Sequence, residues 1–171
     1  MAIQNSDITY HLSGGAANTS PAASLGGARS TAAGGQLNTG SLNNLFEDIT
    51  GDVAAVGHVD YRCIYIRNGH SSLSWLAPKV WIKVNTLSPD TDFAIALAGE
   101  GPGGVAETVA NETTAPSGEV FSSPTGKATG LQQTDVSFGQ SFAVWVRRTV
   151  NAGAQASNDT VTLRAEGDTL P

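Results

Sequence analysis

The sequence contains a single cysteine and no long apolar run. Because Cys63 stands alone, the chain has no pair of thiols that can close an intrachain disulfide. No segment approaches the roughly 20 apolar residues that a helix needs to cross a bilayer, and the first residues lack the basic and apolar regions of a secretory signal. We therefore expect a protein that first folds in a reducing cytoplasm and does not contact a membrane.

Charge is also scarce, at 14% of residues against roughly 25% in an average protein. The 15 acidic residues outnumber the 9 basic ones, so the formal net charge is −6. Nucleic-acid binding needs clustered Lys and Arg that displace counterions, whereas Arg147 and Arg148 form the only adjacent basic pair. The composition argues against a nucleic-acid partner and is common in proteins whose surfaces lie against other subunits or in secreted adhesive β domains.

Residues 13–41, which we call the arm, are almost all small. Gly, Ala, Ser and Thr fill 22 of these 29 positions. Ordering a backbone costs roughly 1–2 kcal/mol per residue, and the arm has too little apolar surface to offset that cost alone. We expect it to be disordered or laid along a partner, and we expect the rest of the chain to fold without it. The predicted organisation is residues 1–50 (a first strand, the extended arm and a short docking segment) followed by a β domain at 51–171.

Alternating apolar residues predict seven to nine short strands. Residues 42–49 suit one or two helical turns whose Leu42, Leu45, Phe46 and Ile49 dock on the domain, and no helical periodicity follows residue 50. Such a pattern predicts an all-β fold, an antiparallel β-sandwich or jelly-roll-like domain with an extended N-terminal arm. The predicted strands cover residues 7–12, 59–67, 79–86, 92–98, 106–112, 119–122, 142–150 and 160–166.

Patterns that are typical of ligand sites lack the context that such sites need. Residues 99–104 (GEGPGG) match the G-x-G-x-x-G dinucleotide pattern, but no helix pattern follows and Pro102 removes a backbone N–H. His58 and Asp60 suit a metal only if acidic residues upstream fold back onto them. The mid-strand position of Cys63 favours a buried, inert thiol. We predict no enzyme activity, no cofactor and no metal.

The tryptophans leave three alternatives open. Trp81 and Trp145 lie opposite the main apolar face of their predicted strands. Either both faces of those strands are buried, under residues 42–49 or the arm, or the indoles are exposed. Exposed indoles, with Trp75 as a third, would mark a subunit contact or a shallow glycan-binding platform.

Three segments carry a resemblance to a known group of proteins. They are residues 7–27 (DITYHLSGGAANTSPAASLGG), 61–68 (YRCIYIRN) and 144–156 (VWVRRTVNAGAQA). Together they resemble small virion proteins of tailed bacteriophages that are encoded among head and tail genes. The resemblance spans about residues 7–168. It implies a component of the particle that is present in many copies and has no cofactor, and it does not separate a capsid protein from a tail protein.

The resemblance and the composition lead to one expectation about function. We expect a bacteriophage virion structural protein, a capsid decoration (cement) protein that clamps the head non-covalently. The alternatives are a tail, collar or baseplate component and a glycan- or receptor-binding module. The expected partners are the major capsid protein or other virion subunits and further copies of the chain, in particles assembled in the host bacterial cytoplasm.

Each candidate partner-binding residue has an expected role. Strand-forming residues before the arm would add a strand to a neighbouring sheet, and the larger apolar residues of the arm would anchor it. The two adjacent arginines would bind a partner's carboxylates or simply form a solvated strand end. The candidates are Tyr10, Leu12, Leu25, Leu37, Trp81, Trp145, Arg147 and Arg148.

Overall fold

The computed structural model of the protein describes residues 2–154 and 159–169, where regular structure is mostly β. The one α-helix in those residues, α1 (Gly51–Val56), is six residues long, and 3₁₀ turns lie at Asn5–Asp7, Pro21–Ala23 and Ala33–Gly35. The predicted all-β class with antiparallel sheets is confirmed. The strands are β1 (Ile8–Leu12), β2 (Gly26–Gly27), β3 (His58–Asn68), β4 (Leu76–Val84), β5 (Thr91–Leu97), β6 (Ala106–Thr108), β7 (Leu131–Gln132), β8 (Ser141–Val150) and β9 (Thr162–Asp168).

The largest sheet has the strand order β1-β3-β8-β5, with every pairing antiparallel. β3 pairs with β8 from His58↔Val150 to Arg67↔Ser141, and its second half also pairs with β1. The β-branched and aromatic residues of β3 and β8 favour this pairing because they pack well on a pleated surface. A three-stranded sheet, β7-β4-β9, and a two-stranded sheet of β2 and β6 complete the described part of the chain.

One face of the four-stranded sheet shares an apolar core with the three-stranded sheet. Val80 and Ile82 of β4 enter this core with Leu163 and Ala165 of β9, as the predicted period-two pattern of those strands requires. From the four-stranded sheet, alternate residues of β3, β5 and β8 point into it, each at most 4% exposed: Ile64, Ile66, Phe93, Ile95, Phe142, Val144 and Val146.

The segment before β3 differs from its prediction. Residues 42–49 form no helix, since Asn43 has a φ of 53° that a right-handed helix excludes. Helical structure begins later, in α1, and ends at Gly57, whose φ is 81°. Of the residues expected to dock, Leu45 is 9% exposed, whereas Leu42 is 85% exposed and does not pack on the domain.

Two further connections also depart from the sequence pattern. The strand expected at 119–122 is reduced to one bridge, Ile95↔Ser122, beside the outer edge of β5. β7, which pairs with Lys79 and Val80 of β4, lies where the sequence predicted no strand. The connection between β8 and β9 lies partly outside the described residues.

Candidate interaction surfaces

The second face of the four-stranded sheet is covered by the arm and by the segment that contains β6. Cys63 and Tyr65 of β3 and Trp145 of β8 lie on this face, each at most 1% exposed. Leu25 of the arm packs against them together with Ala106 and other small apolar residues. A sheet face with a large indole and phenol is therefore removed from water by a segment of the same chain.

Hydrogen bonds from β3 fix the position of the arm. The Tyr65 hydroxyl donates to the carbonyl oxygen of Gly27 at 2.8 Å and accepts from the Ala106 N–H at 2.9 Å. The Cys63 N–H donates to the Ser24 carbonyl oxygen at 2.8 Å. Burial raises the pKa of the Cys63 thiol to about 12, so this cysteine stays protonated and carries no nucleophilic role at neutral pH.

The small residues of the arm are a packing requirement of this interface. Gly26 has a φ of 92°, and a Cβ there would overlap the carbonyl oxygen of Glu107 in the neighbouring strand. A Cβ on Gly35 would likewise overlap the Ser30 hydroxyl. Glycine removes both clashes and tolerates the positive φ. The composition that suggested disorder therefore serves close approach between two stretches of backbone.

Buried serines supply hydrogen-bond partners inside the arm. Ser13, Ser24 and Ser30 are each 0% exposed. The Ser30 hydroxyl donates to the Asn18 carbonyl oxygen at 2.6 Å, and the Asn18 amide donates to the Ser13 carbonyl oxygen at 2.6 Å. The expectation that the arm is disordered is wrong, because sheet aromatics and internal hydrogen bonds offset its ordering cost. In this structure the arm lies on its own chain, and its placement on a partner stays a prediction.

The two sides of β1 are both occupied. One side pairs with β3. On the other side the Ser30 N–H donates to the Leu12 carbonyl oxygen at 2.8 Å and the Leu37 N–H donates to the Tyr10 carbonyl oxygen at 2.9 Å. In this conformation Tyr10 and Leu12 therefore pair within their own chain, and their addition to a neighbour's sheet stays a prediction. Leu12 is only 2% exposed, and burial raises the pKa of Tyr10 to about 12.

The predicted apolar contacts are made within the chain. Leu25 packs on the face that holds Trp145, and Leu37 packs on the core shared by the two larger sheets. Trp145 is 0% exposed and Trp81 is 6% exposed. Of the three alternatives for these tryptophans, burial on both strand faces is the one the structure has. With Trp75 only 2% exposed as well, no tryptophan offers a glycan-binding platform.

Arg148 closes one end of the shared core. Its guanidinium binds Asp60 through two hydrogen bonds, 3.0 Å from Nε to Oδ1 and 2.6 Å from Nη2 to Oδ2. Nη1 donates to the carbonyl oxygen of Glu47 at 2.8 Å, and the group lies 4.7 Å from the centre of the Phe46 ring. The predicted contact of Arg148 with a partner's carboxylate is thus replaced by a paired, mostly buried contact that fixes residues 46 and 47.

The neighbouring arginines are also held inside the protein. Arg62 is 1% exposed and pairs with Glu112 at 2.5 Å, which lowers the pKa of that carboxyl through the hydrogen bond. The guanidinium of Arg147 lies 5.3 Å from the centre of the Phe121 ring, an arrangement in which a cation is attracted to the ring face. Within the described residues Arg147 makes no ion pair.

Sequence reasoning missed the pair of Asp60 and Arg148, although a signal for it exists. Asp60 shares a strand face with Ile64, and Arg148 shares one with Val144, as the period of two requires. An acidic and a basic residue that lie on the buried faces of two strands predict a buried ion pair when those strands are neighbours. The missing information was the pairing register, which places Asp60 directly across from Arg148.

His11 is a buried titratable group beneath the arm. It is 9% exposed, and its Nε2 lies 2.9 Å from the Thr9 hydroxyl oxygen. Burial lowers the pKa of His11 to about 4, with further lowering by the positive charges of Arg29 and Arg67. The imidazole is therefore neutral near pH 7 and its environment opposes protonation.

Exposed apolar side chains lie at the end of the sheets where β3 and β5 begin and β4 and β8 end, which we call the α1 end. Hydrogen bonds join its connections, because the Gly153 N–H donates to Ala54 and the Asn151 N–H donates to Asp90. Leu87 is 97% exposed, Val56 78% and Val84 46%. The same end also carries four exposed acidic residues: Glu47, Asp48, Asp52 and Asp92.

The ligand patterns found in the sequence do not converge in the structure. Residues 99–104 form a loop that leads into β6, and no helix follows to offer its N-terminus to a phosphate. Among the described residues, no three His, Cys, Asp or Glu side chains group as metal ligands. The described helices include none that is long and apolar enough to span a membrane.

Comparisons with known proteins give no relative. The chain matches no protein-family model, no curated protein and no solved structure.

Proposed function

We propose that this protein is a structural component of a tailed-bacteriophage virion and acts as a capsid decoration (cement) protein. The observation that carries the proposal is the group of exposed apolar side chains at the α1 end. Soluble monomers rarely expose apolar side chains in groups, and such groups mark contacts with other proteins. The resemblance of residues 7–27, 61–68 and 144–156 to phage virion proteins supports the virion as the place of that contact.

The charge around the α1 end favours a particular kind of partner surface. Leu87 and Val56 supply exposed apolar area at this end, and Asp48, Asp52 and Asp92 supply exposed carboxylates at the same end. An apolar centre with a charged rim is the usual anatomy of a protein contact. Carboxylates at the rim favour a partner with Lys or Arg around an apolar depression, since complementary charge speeds association and fixes the register.

The ordered arm changes how such a protein would clamp a capsid. In this conformation the arm stabilises its own subunit, so the particle contact falls to the α1 end rather than to a free tether. Many weak contacts of this kind become strong when symmetry presents them together on one shell. A tail, collar or baseplate component would use the same surface in a ring of few copies and is the alternative.

Mass spectrometry and gel densitometry of purified particles of the phage that encodes this chain test the proposal. A decoration protein is expected at a stoichiometry comparable to that of the major capsid protein. A stoichiometry of only a few copies per particle would favour the tail alternative. Absence of the chain from particles would overturn the virion proposal.

A pair of matched variants tests the α1 end itself. Leu87→Asp adds charge to the 97% exposed side chain at this end, and Val120→Asp makes the same change at an 81% exposed position beside β5. We expect both variants to melt like the unchanged protein, because neither side chain is buried. Leu87→Asp alone should lose incorporation into particles. Equal incorporation of the two variants would contradict the assignment of this surface.

A further inference from the structure

We propose that β1 and the arm are exchanged between copies of this chain, so that residues 2–37 of one copy occupy the β3 edge and the Trp145 face of another. The biological use of this exchange rests on the proposed role in assembly. The exchange itself is argued from the contacts of the arm. The partner is a second copy because the exchanged contacts are the ones already present within one chain.

The surface under the arm has to be covered in every folded state. Trp145 and Cys63 are 0% exposed and Tyr65 is 1% exposed, and Leu25 of the arm packs on this group. Without the arm, this face would place an indole and a phenol in water and leave the hydrogen bond from Tyr65 to Gly27 unmade. A free arm of a second copy carries the same residues and fits the same surface.

The arm is joined to the rest of the chain by an exposed link, residues 38–44. No backbone hydrogen bond connects this link to another part of the described chain, and Leu42 within it is 85% exposed. The chain turns there at Gly40, with φ 86°, and at Asn43, with φ 53°. Straightening those turns breaks the hydrogen bond from the Asn44 side-chain amide to the Asn38 carbonyl oxygen, which lies within the link. Seven extended residues span about 24 Å, a distance sufficient to reach a neighbouring subunit.

Both ends of the link are fixed, which defines the exchanged unit. Before it, the Leu37 N–H donates to the Tyr10 carbonyl oxygen. After it, Leu45 is buried, and Arg148 holds the carbonyl oxygen of Glu47. The link is therefore the place where a hinge opens, with residues 2–37 moving as a unit and residues from 45 onward staying with their own domain.

Concentration decides between the closed and the exchanged arrangement. The interface is the same in both, so the free-energy difference comes from the link and from the cost of bringing two chains together. A capsid surface holds copies side by side at high effective concentration, which favours the exchanged form.

A cysteine placed opposite Cys63 reports which chain supplies the arm. Ser13 stands across from Cys63, since it follows the Leu12↔Ile64 pair in register and its N–H donates to the Cys63 carbonyl oxygen at 3.3 Å. Directly opposed residues of neighbouring strands lie within the Cα separation that a disulfide spans. Chains with Ser13→Cys and Cys63→Ser are therefore mixed with chains of the natural sequence. Each chain then carries only one of the two opposed cysteines, so the disulfide can form only between two chains.

The mixture is co-expressed, concentrated and separated by size, and each fraction is oxidised with diamide and run on a non-reducing denaturing gel. In the oligomeric fraction about half of the exchanged dimers should contain one chain of each kind and become covalently linked. A mixture made with Thr31→Cys and Cys63→Ser, whose new thiol lies on the exposed side of the arm, measures accidental linkage. A yield no higher than this background, or no oligomer at any concentration, overturns the proposal.

A refolding series is the second test. The interchain disulfide should increase when the mixed chains are refolded from urea at higher concentration, because exchange joins two chains whereas the closed form needs only one. A linked fraction equal to the Thr31→Cys background at every concentration would also overturn arm exchange. These outcomes do not depend on virions: exchange without presence in particles refutes only the virion role, and presence in particles without exchange refutes only this inference.

Discussion

The two faces of the four-stranded sheet are covered in different ways. Toward β4 and β9, aliphatic side chains such as Ile64 and Val144 meet others of similar size from a second sheet. Toward the arm, Tyr65 and Trp145 lie in a cluster with Leu25 of the arm and Ala106 of β6, and the Tyr65 hydroxyl donates to the Gly27 carbonyl oxygen. Where the sheet supplies the bulk, the covering segment contributes a close backbone and hydrogen bonds. A low-complexity composition therefore does not imply disorder when a sheet face carries aromatic residues that complement it.

The two faces also differ in how the covering segment satisfies its hydrogen-bonding groups. β4 pairs its backbone mainly with β9 and β7 and packs apolar side chains into the core. The arm satisfies many of its polar groups with buried serines, Asn18 and the hydroxyl of Tyr65. Because these partners are single side chains, the arm-covered face depends on specific residues, whereas the strand-covered face depends on total apolar volume.

Deleting residues 1–41 should have the largest effect on stability of the changes considered. The deletion removes β1 and uncovers Trp145 and Tyr65, so we expect the remaining chain to lose its cooperative thermal transition and to bind a hydrophobic dye. Circular dichroism melts of the two chains measure this. Adding a synthetic peptide of residues 2–41 should restore part of the transition, which distinguishes loss of cover from general damage. A truncated chain that melts like the full one would contradict the structural role of the arm.

Gly26→Ala tests the close approach on the arm-covered face. Its positive φ and the overlap of a Cβ with the Glu107 carbonyl oxygen should together cost about 4 kcal/mol in the free energy of unfolding. Gly15→Ala is the matched control, because Gly15 has a φ of 104° with no atom within 4 Å of the added Cβ, so only about 1–2 kcal/mol of backbone strain is expected. Equal losses in urea titrations would show that close approach contributes nothing.

The sequence predicts the strand-covered face better than the arm-covered one, for a physical reason. Alternation in β8 places Phe142, Val144 and Val146 on one side, and a period of two is readable from a single segment. The cover over Trp145 depends on contacts between residues 25 and 145, which no local pattern contains. The indoles were thus left with three alternatives, and the ion pair of Asp60 with Arg148 was missed because strand register is a long-range property.

The contact surface at the α1 end could not be predicted from the sequence either, because it also depends on long-range strand arrangement. Leu87 and Val56 are 31 residues apart in the chain, and each alone is an ordinary exposed apolar residue. Only the antiparallel arrangement of β3, β4, β5 and β8 brings their connections to one end. No sequence pattern links these two residues. A contact surface of this kind can therefore be recognised only from the folded structure.

The smallest effect we predict is a pH dependence that belongs to the arm-covered face. Burial and the charges of Arg29 and Arg67 hold the pKa of His11 at about 4 in the folded protein, whereas an unfolded chain has a value near 6.5. Between these values the unfolded state binds more protons than the folded state, so stability is full above about pH 6.5 and falls as the pH decreases toward 4. We expect a loss of about 2–3 kcal/mol over this window.

His11→Gln isolates that contribution, because glutamine keeps a polar side chain beside Thr9 but does not titrate. Urea unfolding at several pH values should show a stability difference between the two proteins that changes steadily from pH 7 to pH 4. Other groups titrate equally in both proteins and cancel in that difference. Parallel stability curves would show that His11 is protonated as easily when folded as when unfolded, and hence that the arm does not exclude water and charge from this side of the sheet.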